Sequence, residues 1–420
     1  MNILHTSDWH LGRALYGRKR YQEFEAFLDW LSQELLTQKT DVLLIAGDIF
    51  DNNTPSNRAQ SLYYQFLCKV AASACRHVVI IAGNHDSPTF LDAPKTLLQA
   101  LNVHVVGAMT EQAKDEVLQL KTSEGKTELI VCAVPYLRDR DIRTVEAGES
   151  MEDKERKLRQ GIEQHYAEVV EHAVELRQQL GDPSIPMIGM GHLFTAGGKT
   201  VDGDGVRDLY IGSLAHVTAS IFPEILDYVA LGHLHVPQRV NRSEHIRYCG
   251  SPIAMGFGEA KQNKIVHIIK FTPGKLAGDP RPMQVSQEGV PKFQALARIQ
   301  GDWQHINDSI QAMLVRNDGN DSIWLEITYD GQSYLSDLRE RIDNLVEGSA
   351  IEVLRIRNLR LAENLIEQAH AGETLDELSP DEVFERRLNA SDIPEEQQQA
   401  LKESYQYVLN ALAQDDANAE

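Results

Sequence analysis

Five short segments of this chain place Asp, His and Asn directly after an apolar run. They are Ile3-Leu4-His5-Thr6-Ser7-Asp8-Trp9-His10, Leu43-Leu44-Ile45-Ala46-Gly47-Asp48-Ile49-Phe50-Asp51 and Val79-Ile80-Ile81-Ala82-Gly83-Asn84-His85-Asp86. Further along come Met187-Ile188-Gly189-Met190-Gly191-His192 and Tyr228-Val229-Ala230-Leu231-Gly232-His233-Leu234-His235. In open α/β sheets, ligands bind outside the carboxyl ends of the strands. Five strands ending this way would bring these side chains to one crevice. Glycine stands before the polar cluster in four of the segments, which suggests sharp turns and a close backbone approach to an ion. The donors are oxygen and imidazole nitrogen with no thiolate, a set that suits Mn²⁺, Fe²⁺ or Zn²⁺. Two such ions about 3.5–4 Å apart clamp the attacking and leaving oxygens of an in-line phosphoryl displacement. That arrangement needs a bridging carboxylate, and Asp48 is the best placed.

The elements that must hold these residues are legible in the hydrophobic pattern. Apolar runs of strand length fall at 3–6, 42–46, 78–82, 103–106 and 129–134, with amphipathic helical spacing over 21–36 and 58–72. Such runs between helices predict a sheet buried on both faces. A charged helix is expected over 151–180, ended by Asp182-Pro183, with strands resuming at 187–190, 228–231, 246–249 and 265–271. The expected divisions are a catalytic domain over 1–275, a linker over 276–291 marked by glycines and prolines, and an α/β capping domain over 292–360. The cap reads as strands at 293–299, 323–328 and 351–356 with helices at 303–315 and 334–346. The last segment, 361–420, opens a helix at Ser379-Pro380-Asp381-Glu382, with Ser as cap and Pro in the first turn. Helices near 380–389 and 394–413 carry apolar positions that need a surface to pack on.

Composition narrows the class. With 42% hydrophobic and 25% charged residues, the 420-residue chain falls in the globular range. No apolar stretch is long enough to span a bilayer and the N-terminus has no secretory pattern, so no membrane partner is expected. Four cysteines without C-x-x-C spacing form neither a zinc knuckle nor a disulfide frame, and a reducing cytoplasm is the default. The net charge of −21 is concentrated in the tail, where residues 361–420 carry 15 Asp and Glu against three Lys and Arg. An acidic tail is compatible with a body that binds DNA.

The motifs Asp8-x-His10, Gly47-Asp48-x-x-Asp51, Gly83-Asn84-His85-Asp86, Gly191-His192 and Gly232-His233-x-His235 are each weak alone. In this order, each after a strand, they resemble the signature of the calcineurin-like metallophosphoesterases. Thr6–Gly12, Val206–Gly212, Tyr248-Cys249-Gly250-Ser251-Pro252 and the tail segment Glu373–Phe384 are similar to the SbcD family of bacterial nuclease subunits within that superfamily. The resemblance spans nearly the whole chain without a departure at the metal-binding positions. It implies a sandwich of two sheets flanked by helices, with a small α/β cap and a helical C-terminal tail. It implies one ion held by Asp8, His10, Asp48 and His235, and a second by Asp48, Asn84, His192 and His233. His85 would be the catalytic histidine, with Asp86 orienting its ring. The implied activity uses two divalent ions, Mn²⁺ above others, for 3′→5′ exonuclease action on duplex DNA and endonuclease action on single strands and hairpins. The implied partners are DNA, an SbcC-like ATPase docked by the tail, and a second copy of the chain within a heterotetramer. The same resemblance places the protein in the cytoplasm, at the nucleoid when bound to DNA, in DNA repair and recombination.

Plainer readings compete at several positions. Asp51 and Asp86 also suit turn or cap roles. Gly198-Lys199-Thr200 lacks the first glycine of a phosphate loop, and Asp202-Gly203-Asp204-Gly205 lacks the spacing of a calcium loop. His165 and His172 read as solvated, and Trp303 and Trp324 as cap core. Arg13, Arg18, Lys19 and Arg20 form either a phosphate-binding patch or a solvated loop. The competing functions are a small-molecule phosphodiesterase or protein phosphatase on the same fold, and an inactive scaffold.

Overall fold

The computed structural model describes residues 1–143, 149–195, 218–272, 283–316, 322–332, 335, 337–359, 401, 402 and 405. The phosphate-loop-like and calcium-loop-like segments, the Val206–Gly212 motif and the two expected tail helices lie outside these residues, apart from the isolated positions 401, 402 and 405. The chain divides into two compact units. The first comprises Met1–Arg298, Asn317–Glu326 and Ser349–Arg355, and the second Ile299–Arg316, Ile327–Gly348 and Ile356–Glu420.

Two six-stranded sheets build the first unit. One runs, edge to edge, Met283–Gly289, Ile265–Phe271, Asn2–Thr6, Val42–Ala46, His77–Ile81 and Val103–Val106. Its last four strands are mutually parallel. The other runs Gln238–Arg239, Ile246–Tyr248, Tyr228–Gly232, Met187–His192, Thr127–Ala133 and Val117–Lys121, with a parallel centre from Ile246–Tyr248 to Thr127–Ala133.

Alternation along each strand sorts side chains between two faces. Ile3, Val42, Leu44, Ala46, Val79 and Ile81 of the first sheet meet Leu129, Val131, Ile188, Met190 and Ala230 of the second in one shared core. Leu4, Leu43, Ile45 and Ile80 point the other way, under helices Tyr21–Thr37 and Asn57–Ala71. On the far side, Ile130, Met187, Val229 and Leu231 pack with Ile162, Tyr166 and Val169 of helix Met151–Leu180. The continuous apolar runs therefore do reflect burial on both faces, but one face of each sheet is covered by the other sheet.

The helices start and stop on local chemistry. Ser56 accepts from Ala59 N–H at 3.2 Å and Ser150 from Asp153 N–H at 3.1 Å, each satisfying a donor that the helix start leaves open. Gly181 ends the long helix at φ +66°, where a glycine carries no steric penalty. Besides two-residue strands such as Gln238–Arg239, two longer strands escaped the sequence pattern. Met283–Gly289, inside the expected linker, pairs antiparallel with Ile265–Phe271 as an edge strand, and Val117–Lys121 pairs with Thr127–Ala133. Met283–Gly289 alternates partly and fully exposed positions, so it lacks the apolar run of a buried strand.

Ala295–Gly301, Ile323–Tyr329 and Ile351–Asn358 form a separate three-stranded sheet with Ile323–Tyr329 in the middle. Trp324 is buried with Leu15, Phe257 and Leu296. In the second unit, helices Trp303–Arg316 and Leu338–Val346 pack together, and the Arg341 guanidinium lies 5.4 Å from the Trp303 ring centroid. No helix among the described residues is long and apolar enough to cross a membrane.

Candidate metal centre

All five motif segments leave the carboxyl ends of parallel strands, three from the first sheet and two from the second. Register brings the sheets' rims together. Asp8 Oδ1 accepts from His233 N–H at 2.8 Å, Asp8 N–H donates to the Gly47 carbonyl at 3.0 Å, and His192 Nδ1 lies 3.0 Å from the Ala46 carbonyl.

The backbone is held in unusual conformations here. Asp8, His10, Asp48 and His233 have φ of 55°, 48°, 51° and 101°. Non-glycine residues avoid this region, and clusters of such outliers accumulate at functional sites. Three of the four glycines beside them serve close packing instead of the expected sharp turn. Gly47 alone among the four takes a left-handed φ, of 87°. A Cβ at Gly83 would strike Asp48, one at Gly191 the Tyr166 hydroxyl, and one at Gly232 the Ala46 carbonyl. These three are required by close packing of the ligand segments on one another and, at Gly191, on the helix Met151–Leu180, not by turning.

Among the donor groups that result, which include His10 with Asp51 and His85, two hold most of the motif residues. Asp8, His10 and His235 form one, in which the Nε2 atoms of His10 and His235 are 3.1 Å apart. Asp48, His192 and His233 form the other, where His192 Nε2 lies 3.3 Å from Asp48 Oδ2 and 3.0 Å from Asn84 Oδ1. His233 Nδ1 is 3.2 Å from the same Asn84 oxygen. Asp48 Oδ2 also sits 3.6 Å from His10 Nε2, so this carboxylate faces both groups. All the charged and imidazole members are buried.

With Nδ1 of His192 committed to a carbonyl, its Nε2 faces only acceptor oxygens, an arrangement that a cation or a proton satisfies. This donor set fits divalent cations of the first transition row. Burial favours neutral His10, lowered to about 4 despite the Asp51 and Asp48 carboxylates, and His233 is held well below the ordinary imidazole range by burial and by His192. Burial also acts against the His192 cation, yet Asp48 and Asp8 raise it to about 9. Asp48 is held well below the ordinary carboxylate range by His192 and His10, against its own burial.

His85 lies against His10, ring centroids 4.7 Å apart and edge-on. Its Nδ1 is 2.7 Å from the Asp51 carbonyl and its N–H donates to Asp48 Oδ1 at 2.9 Å. The ring is therefore oriented by the Asp51 backbone, which corrects the role expected of Asp86. The Asp86 carboxylate instead accepts from the N–H groups of Gly83, Phe50 and Ile49 at 2.8, 3.0 and 3.2 Å, tying two motif loops together. Burial and the Asp48 charge push its pKa up to about 7.

Two further readings change. His165 is buried, with Nε2 2.8 Å from Glu116, whereas His172 is solvent-facing as expected. The basic patch disperses: Arg20 is buried on Glu23, Arg18 pairs with Glu352, and Arg13 pairs with Asp51 at 3.2 Å. Ser7 was not singled out by the sequence. Its hydroxyl donates to Asp8 Oδ2 at 2.5 Å and lies 3.1 Å from Cys249 Sγ.

Comparison with known families decides what this arrangement is. Residues 1–237 match the calcineurin-like phosphoesterase family, and 292–392 match the type 5 capsule protein repressor C-terminal domain. The SbcD subunit of the nuclease SbcCD from Escherichia coli K12 is 37% identical over 98% of this chain and 99% of its own. The chain belongs to the SbcD family of calcineurin-like phosphoesterases. Proteins of the same name from Rhodobacter capsulatus and Bacillus subtilis are 35% and 32% identical over 67% and 70% of this chain, covering 70% and 72% of their own lengths. As a calcineurin-like phosphoesterase, the chain is a hydrolase that uses divalent metal, and the two donor groups at the sandwich rim are its candidate ligands.

Proposed function

We propose that this protein is the DNA-cleaving component of an SbcCD-type complex, hydrolysing phosphodiesters with two divalent cations. The observation that carries the reading is Asp48, a buried carboxylate facing two separate groups of imidazole and oxygen donors. In this reading Asp8, His10, Asp48 and His235 hold one cation, and Asp48, Asn84, His192 and His233 hold the other. When bound, the pair supplies Lewis-acid polarisation and a clamp on the attacking and leaving oxygens. His85 is the catalytic residue of the chain itself. Its Nδ1–H donates to the Asp51 carbonyl, so Nε2 is the atom that takes up a proton and, as the imidazolium, delivers it to the leaving oxygen. Asp86 supports the site by holding both loops that flank His85.

Mn²⁺ is the proposed metal: the oxygen–nitrogen donor set admits it together with Fe²⁺ and Zn²⁺, and the resemblance to the SbcD family favours it among them. The names of the relatives support a nuclease, and the Escherichia coli relative's match over 98% of the chain supports extending it to the whole protein. We assign 3′→5′ exonuclease action on duplex ends and endonuclease action on single strands and hairpins, serving DNA repair and recombination in the cytoplasm. Residues 1–275 are the nuclease domain, 292–360 the cap, and the acidic 361–420 the segment that docks an SbcC-like ATPase. Two copies of each protein would make the complex. The test is cleavage of 3′-labelled duplex DNA with Mn²⁺, with and without the ATPase. His85→Asn, retaining metal, is expected to lose about 10²–10⁴-fold in rate. Turnover of a small phosphodiester without any DNA cleavage by the complex would favour a small-substrate enzyme instead.

A further inference from the structure

His235 is held at both ring nitrogens. Nε2 faces His10, while Nδ1 lies 3.5 Å from Oε1 of Glu259, a residue in the short turn Phe257–Glu259. Glu259 is 1% exposed, and its Oε1 has no hydrogen-bond partner among the described residues. Its other oxygen is saturated: Oε2 accepts from Lys264 Nζ, from Met255 N–H at 3.2 Å and from Ser251 Oγ at 3.3 Å. Lys264 is itself buried, and its Nζ also donates to the His235 carbonyl at 3.1 Å and to Ser251 Oγ at 3.0 Å.

A buried carboxylate with one oxygen locked and the other aimed at an imidazole nitrogen is out of place in a purely structural ion pair. Structural pairs are stable only when their lone pairs are satisfied. Histidines that ligate metals characteristically donate their second ring N–H to a carboxylate, which fixes the tautomer and strengthens the ligand. We propose that Glu259, locked by Lys264, is the positioning residue that keeps the His235 proton on Nδ1 and its lone pair on Nε2. The pair is neutral overall, so it supports His235 without adding charge to the cluster. Both residues lie between the two matched family regions, which end at 237 and begin again at 292. The inference rests on the reading of His235 as a cation ligand.

Mn²⁺ alone, titrated into the full chain by calorimetry and followed by electron paramagnetic resonance, tests this without any cleavage assay. Glu259→Gln is compared with the double variant Glu259→Gln/Lys264→Met, which removes both charges and avoids leaving a buried ammonium unpaired. The expected result is about a 10–100-fold loss of affinity for one of two Mn²⁺ ions, with the other unchanged. Folded variants that bind both ions as the wild type does overturn the proposal. If neither variant folds, ¹⁵N-histidine NMR of the wild type with Mg²⁺ decides, using His235→Gln for assignment. A proton on Nδ1 of His235 supports the proposal, and a proton on Nε2 refutes it. A wild type that binds two ions yet cuts no DNA would refute the nuclease reading alone, while one that binds none refutes the cation site itself.

Discussion

Gly232→Ala isolates the contact on which the meeting of the two sheets depends. Gly232 ends strand Tyr228–Gly232 one residue before the first ligand of its loop. A Cβ built there overlaps the Ala46 carbonyl oxygen and comes to 2.9 Å of His192 Nδ1, where ordinary contact begins at 3.4 Å. The His192 contact alone demands a shift of about half an ångström, and the carbonyl overlap demands more. Over-packing of this kind costs about 1–3 kcal/mol. The same carbonyl holds His192 Nδ1 at 3.0 Å, so the shift also turns Nε2 away from Asp48 and Asn84. A displacement of about 1 Å at a reacting centre reduces rate by about 10²-fold. Urea unfolding and Mn²⁺ titration of the same samples check both effects, with Gly289→Ala as reference, because nothing lies within 4 Å of a Cβ there. The substitution at 232 should lower stability and metal affinity together, while the one at 289 leaves both near wild type. A Gly232→Ala protein with wild-type unfolding midpoint and metal affinity would refute the close-packing argument.

Two other outcomes are expected. Glu116→Gln weakens the acceptor for buried His165 Nε2 and for Thr110 N–H, each at 2.8 Å, and should cost about 1–3 kcal/mol in urea unfolding, as disturbed buried hydrogen bonds do. In the metal-free chain, His192 is raised from 6.5 to about 9, so its contribution to stability is full below about 6.5 and is lost as pH rises through 9. Stability in EDTA should therefore fall across that window, and divalent metal should stabilise the chain more at pH 8.5 than at pH 7. His192→Gln should abolish this component of the pH slope in urea unfolding.

The sequence made the candidate site legible because its residues follow a local rule: each polar cluster sits at the end of an apolar strand. That rule placed Asp8, His10, Asp48, Asn84, His85, His192, His233 and His235 at one rim, although Asp8 and His233 meet across 225 positions of sequence. It could not supply partnerships between loops. His85 takes its orientation from a main-chain carbonyl, which has no signature in residue types. Glu259 and Lys264 follow no strand-end pattern and gain meaning only when the chain folds them behind His235. His165 misled for a related reason: a charged helix buries one stripe, and which polar residue falls on it depends on what packs there. The strand Met283–Gly289 was missed because an edge strand half open to water needs no apolar run.

Anomalous diffraction from crystals of the full chain grown with Mn²⁺ tests the central claim most directly. Two peaks are expected, one among Asp8, His10, Asp48 and His235 and one among Asp48, Asn84, His192 and His233, with Asp48 reaching both. A single peak, or a pair that does not share Asp48, would contradict the account.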